Sequence, residues 1–209
     1  MSKIGDQYTS IGRLAELNSQ DQAGTLLNYM PLYSSLFEPL KFEALNILEI
    51  GFSRGRGART LAEYFHRSTI HSVDFEKQIC QPYYDNFPDV LKARVRLHQC
   101  NQSKVEDLNA LIAILGSTLF HIILDDGSHF AADQLLSFNT LWPRLVEGGY
   151  YIIEDMHCAY TKGEHPTVEH FKALVDANNV YGDIKTGNKS PNNIDWIMFP
   201  FNRIIVRKK

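Results

Sequence analysis

The chain has 209 residues, of which 44% are hydrophobic and 11% aromatic, enough for one globular domain with a substantial core. Its 21 basic and 24 acidic residues give a formal charge of -3, and no long basic run is present to track the phosphates of a nucleic acid. No apolar stretch reaches the roughly 20 residues that span a bilayer, the polar start Met1-Ser2-Lys3-Ile4-Gly5-Asp6 lacks a signal peptide's apolar region, and Cys80, Cys100 and Cys158 form no CxxC pair; a soluble, cytoplasmic protein with free thiols is expected.

In chain order, residues 1–45 read as a polar helical cap segment with an aromatic patch at Tyr29, Tyr33 and Phe37. Five apolar runs of strand length follow, at Asn46-Ile50, Thr69-Val73, Arg94-His98, Leu119-Leu124 and Tyr150-Ile153. Helical periodicity between them, as in Ala58-Phe65 and Ala131-Leu141, predicts an α/β fold whose parallel sheet is covered by helices on both faces. Gly182-Asn193, rich in Gly, Asn, Lys and Pro, reads as a loop. Asp195-Phe199 and Arg203-Arg207 flank Pro200-Phe201-Asn202, a turn that closes an antiparallel hairpin. The sum is a seven-stranded, mostly parallel sheet with a C-terminal antiparallel hairpin, in a single domain over 1–209.

The first strand ends in Glu49-Ile50-Gly51-Phe52-Ser53-Arg54-Gly55, where glycines let a backbone approach a ligand closely. Such a loop is also compatible with a tight turn that binds nothing. A dinucleotide fingerprint would need glycines at 51, 53 and 56, and Ser53 and Arg56 occupy two of those places. A nicotinamide dehydrogenase is thereby disfavoured. Asp74, at the end of the second strand, is placed to accept hydrogen bonds from both hydroxyls of a ribose, or alternatively to cap a helix. Asn101 and Gln102 follow the third strand, where a cofactor's base would be met.

Two acid pairs end the next two strands: Asp125-Asp126 within Asp125-Asp126-Gly127-Ser128-His129, and Glu154-Asp155 before Met156-His157. In an open parallel sheet, ligands gather outside the carboxyl ends of the strands, so both pairs are expected on the face claimed by Gly51 and Asp74. Hard oxygen ligands from Asp126, Glu154 and Asp155 suit magnesium or manganese and not zinc. Taken alone, residues 125–129 also read as an Asp-Gly turn before a helix. Four carboxylates together without a cation would be costly.

The glycine loop with its acid resembles the first motif of class I S-adenosylmethionine-dependent methyltransferases, which implies the Rossmann-like fold of that class. The longer pattern, running from Leu14-Ala15-Glu16-Leu17 through Asn28-Tyr29-Met30-Pro31-Leu32-Tyr33 and the DDGSH segment to FNTLWPRLVEGGYYIIEDMH (138–157) and the closing hairpin, resembles the macrolide sugar O-methyltransferases. That resemblance implies S-adenosylmethionine held by Glu49, Gly51, Ser53, Gly55, Asp74, Asn101, Gln102 and Asp125, metal ligands at Asp126, Glu154 and Asp155, and a catalytic base at His129. It implies methyl transfer to the hydroxyl of a small-molecule acceptor, a sugar or glycoside, in natural-product biosynthesis, and leaves a homo-oligomer open. These residues are expected to depart from the family in lacking the long N-terminal domain that the macrolide enzymes use in assembly and substrate enclosure, which leaves the acceptor open. Catechol-type O-methyltransferases share the fold but usually complete the metal site with Asp-Asn, and a binding domain without chemistry would leave the acid pairs idle.

Overall fold

The structure is a computed structural model, and it describes residues 9–18, 28–161, 165–179 and 193–209. Residues 182–192 of the expected loop lie outside them. The chain divides into two compact units, Met1–Cys100 and Asn101–Lys209.

The first unit begins with α1 (Ile11–Leu17), whose start is capped by Ser10 Oγ accepting from the Arg13 N–H, and α2 (Met30–Phe37). Tyr33 stacks on Phe37 at 5.1 Å between ring centroids, and Phe37 packs on Phe65 at 5.6 Å, so the expected aromatic patch is core. Three parallel strands follow: β1 (Asn46–Ile50), β2 (Thr69–Asp74) and β3 (Val95–Gln99). Helices α3 (Arg56–Tyr64), α4 (Lys77–Asp85) and α5 (Asp89–Lys92) connect them. Ile47, Leu48, Ile70, Val73 and Val95 are almost wholly buried, and removing such apolar area from water is the main force holding the strands. Register aligns Ile50 with Val73 and Asp74 with Gln99, which brings the glycine turn after β1 level with the acid that ends β2.

The second unit holds α6 (Val105–Leu115), β4 (Phe120–Asp125), α7 (Ala131–Leu141), β5 (Leu145–Ile153), α8 (His157–Thr161), α9 (Pro166–Asn178), β6 (Ile194–Met198) and β7 (Ile204–Lys208). β4 and β5 are parallel; β5 with β7 and β6 with β7 are antiparallel. Phe138 anchors its core, edge-on to Tyr151 at 5.1 Å and to Phe171 at 4.8 Å. β5 starts at Leu145, five residues before the expected Tyr150, because Glu147-Gly148-Gly149 is absorbed by a register shift against Phe120 and Ile122 instead of forming a turn. Gly148 takes φ +76°, and a Cβ on Gly149 would stand 3.0 Å from the His121 carbonyl. The Pro200-Phe201-Asn202 turn closes the hairpin through Arg203 N–H to Pro200 O at 3.1 Å. The strand order is β3-β2-β1 in the first unit and β4-β5-β7-β6 in the second, seven strands, mostly parallel with a C-terminal antiparallel hairpin, as expected. Among the described residues no helix is long and apolar enough to cross a membrane.

Candidate active site

In the first unit, the turn after β1 is drawn onto β2 by main-chain bonds: Gly51 N–H and Phe52 N–H both donate to Val73 O, at 2.9 and 3.1 Å. Asp74 then clamps two loops. Its Oδ2 accepts from Ser53 N–H at 2.9 Å and its Oδ1 from Glu76 N–H at 3.0 Å, and the carboxylate also takes a hydrogen bond from the Cys80 thiol. Ser53 adopts φ +49°, outside the usual range for a residue with a Cβ. Gly55 takes φ +73°, and a Cβ there would meet Phe52 Cζ at 2.5 Å and Phe87 Cζ at 2.9 Å, so any larger residue at the start of α3 would be strained and would have to displace these rings. Glu49 lies beneath the loop, buried, accepting the Ser72 hydroxyl.

In the second unit, Gln102 is a buried joint: its Nε2 donates to Asp125 Oδ1 at 3.1 Å and Ser137 Oγ at 3.2 Å, and its Oε1 accepts from Ser128 N–H at 2.7 Å. Asp125 is fully enclosed, and burial pushes its carboxyl up to about 7 despite bonds from Gln102, the Gly127 N–H and the Tyr151 hydroxyl. Together they hold the 125–129 turn. Asn101 accepts Ser103 N–H and hydroxyl on Oδ1 and shapes the turn before α6.

Ligand atoms of Asp126, His129 and Asp155 all lie within 4.8 Å of one another. His129 Nε2 stands 3.9 Å from Asp155 Oδ2, while His129 Nδ1 is buried with no hydrogen-bond partner among the described residues. Both residues have left-handed backbones, φ +58° at His129 and +56° at Asp155, a local strain of the kind that clusters at functional sites. Burial pulls the His129 imidazole below its ordinary range, the Asp155 carboxylate opposes that pull, and His157 adds to it. Two carboxylates converging this closely fit a magnesium ion, which is commonly held by one or two carboxylates and keeps its other positions for water or substrate oxygens. Glu154, the third expected ligand, is buried beside the group but outside it; its N–H donates to Asp125 O at 2.9 Å.

The methyltransferase-domain family model matches residues 48–156, just over half the chain and the whole span from β1 to Met156. This chain belongs to that family. Among curated relatives, a rhamnosyl-tetracenomycin-C 3'-O-methyltransferase of Streptomyces olivaceus is 31% identical over 78% of this chain and 40% of its own length. Mycinamicin VI 2''-O-methyltransferase of Micromonospora griseorubida is 28% identical over 87% of this chain and 48% of its own. The chain thus spans less than half the length of these relatives. Among solved structures, the MycE methyltransferase of the mycinamycin pathway, in complex with Mg, SAH and Mycinamycin VI, aligns over 98% of this chain and 54% of its own at 25% identity and TM-score 0.80.

The methyltransferase domain has one site residue that its sequence hides. Asn202, in the β6–β7 turn, donates from Nδ2 to Asp155 Oδ1 at 3.3 Å, and its Oδ1 accepts the His157 N–H. Its φ is +60°, and the turn-forming character of asparagine was the only signal of its place.

Proposed function

We propose that this methyltransferase domain transfers a methyl group from S-adenosylmethionine to a sugar hydroxyl of a glycosylated small molecule, with magnesium at the acid cluster. The observation that carries this reading is the convergence of Asp126, His129 and Asp155 within 4.8 Å, two hard carboxylate donors beside one imidazole. It is supported by relatives named as O-methyltransferases of rhamnosyl and macrolide compounds, and by MycE, solved with Mg and SAH.

In this reading Gly51, Ser53 and Gly55 shape the loop that receives the cofactor, Asp74 accepts the ribose hydroxyls, and Asn101 faces the base. Glu49, Gln102 and Asp125 serve the cofactor by holding these loops from the buried side. Asp126 and Asp155 hold the metal, with Glu154 completing the set. Magnesium, when bound, supplies a Lewis acid that lowers the pKa of an acceptor hydroxyl. His129, uncharged because burial disfavours its cation, accepts the hydroxyl proton at Nε2. The acceptor oxygen forms its bond to the methyl carbon as the carbon–sulfur bond breaks, releasing S-adenosylhomocysteine. The loop after β1 and the acid cluster serve one reaction, residues 1–209 act as a single domain, and the acceptor is a small molecule in cytoplasmic natural-product biosynthesis.

The test is product identification. Incubation with S-adenosylmethionine, magnesium and Mycinamycin VI or a rhamnosyl tetracenomycin should yield an acceptor heavier by one CH2, with the methyl on a sugar oxygen. A methyl on carbon, on nitrogen or on a phenol would contradict the reading.

A further inference from the structure

Next to the acid cluster, and wholly within the second unit, a cavity of about 470 Å³ opens between α8, the start of α9 and the β6–β7 turn. Its walls are mostly apolar, among them Met156, Tyr160, Val168, Phe199, Phe201 and Ile204. Three of these are large rings left in water, Tyr160 53%, Phe199 42% and Phe201 71% exposed, although an apolar cluster of that kind is rare on a surface that binds nothing. Arg203, largely buried, lines it too, and its polar edge toward the cluster is formed by His157 and Asn202. Those are the residues that reach the acid cluster, Asn202 Nδ2 at 3.3 Å and His157 Nδ1 at 4.0 Å from Asp155 Oδ1.

We infer that this cavity takes the apolar aglycone of the glycosylated acceptor, with the sugar turned toward Asp126, His129 and Asp155. The inference rests on the function proposed above. A sugar seated among these walls would leave hydroxyls unpaired against Met156, Val168 and Phe201, which costs free energy. A carbon ring system in the same place removes those side chains from water, which is favourable. The volume falls in the range of small-molecule sites, which are typically apolar with a few polar groups at defined points. The occupant is thus amphiphilic, its apolar end in the cavity and its hydroxyl-bearing end at the carboxylates. The cavity sets which glycosides bind, and the acid cluster sets what is done to them.

The test is calorimetry on the whole chain with magnesium and S-adenosylhomocysteine present, using two probes, 2-naphthyl α-L-rhamnopyranoside and methyl α-L-rhamnopyranoside. The naphthyl glycoside should bind at least roughly tenfold more tightly, the scale of burying one aromatic group. Phe201→Ala, on an exposed turn, should remove most of that preference and leave the methyl glycoside and S-adenosylhomocysteine titrations unchanged; Phe199→Ala is the second variant, should the first perturb the turn. Equal affinity for the two probes, binding of neither, or a naphthyl preference untouched by both variants would overturn the inference. Failure of the underlying reading has a separate signature, absence of S-adenosylhomocysteine binding to the parent protein in its own titration.

Discussion

Asn202 and Asp155, 47 residues apart in the chain, are joined by a 3.3 Å hydrogen bond from the Asn202 amide to the Asp155 carboxylate. The same asparagine receives the His157 N–H, so one side chain sets both the carboxylate and the start of α8. Groups that orient metal-binding carboxylates typically change metal affinity 10- to 100-fold when removed. Asn202→Ala should therefore weaken magnesium binding at least roughly tenfold in calorimetry while circular dichroism shows an intact fold. Unchanged magnesium affinity would make the asparagine a turn former only.

His129→Ala should separate the base from the metal site. The substitution leaves Asp126, Asp155 and the loop after β1 in place, so magnesium and S-adenosylhomocysteine should still bind. Turnover should fall by about two to four orders of magnitude, the scale of a lost general base. Near-parental turnover would move the base to His157 or to solvent.

Gly55→Ala should be costly out of proportion to its size. The residue is left-handed, which penalises a Cβ by about 1–2 kcal/mol, and that Cβ would collide with the rings of Phe52 and Phe87. A drop in Tm of several degrees together with weaker S-adenosylhomocysteine binding is expected. A variant as stable as the parent would show that the loop does not adopt this conformation.

Stability should fall on mild acidification through a pair of histidines between β2 and β3. His71 Nδ1 and His98 Nε2 are 3.0 Å apart with stacked rings, and one neutral ring donates while the other accepts. Burial, the partner ring and Arg96 push His71 down to about 4, and burial, Lys77 and Arg96 lower His98. Because the folded pKa values lie below the unfolded value of roughly 6.5, the unfolded chain binds protons first; this contribution is present above about pH 6.5 and is lost as pH falls toward 4. Thermal melts between these limits should show Tm declining, and His71→Gln should flatten the decline. An identical slope in parent and variant would contradict it.

Much of this was legible in the residues, and what was not has physical causes. Asn46–Ile50 and Ala131–Leu141 were readable to the residue, because an apolar run between polar turns and an amphipathic repeat are local signals. The early start of β5 was hidden because Gly148-Gly149 reads as a turn, and only pairing with β4 shows that the strand continues through it. The convergence of Asp126 with Asp155 was foreseeable from two acids ending neighbouring strands, but the close approach of the His129 ring, on a left-handed backbone, and the burial of Glu154 beside the group emerge only in the fold. Asn202 was unreadable as a site residue, since nothing local links a hairpin turn to a carboxylate 47 positions earlier.

The most direct test of metal-assisted O-methylation is turnover of a rhamnosyl acceptor, followed by S-adenosylhomocysteine release, in excess EDTA and after magnesium is restored. The two carboxylates at the cluster and the separate loop for the cofactor predict that EDTA abolishes turnover, that magnesium restores it, and that S-adenosylhomocysteine affinity is largely the same in both conditions. Undiminished turnover in EDTA on the same acceptor would contradict the account, and would leave Asp126 and Asp155 as structural carboxylates.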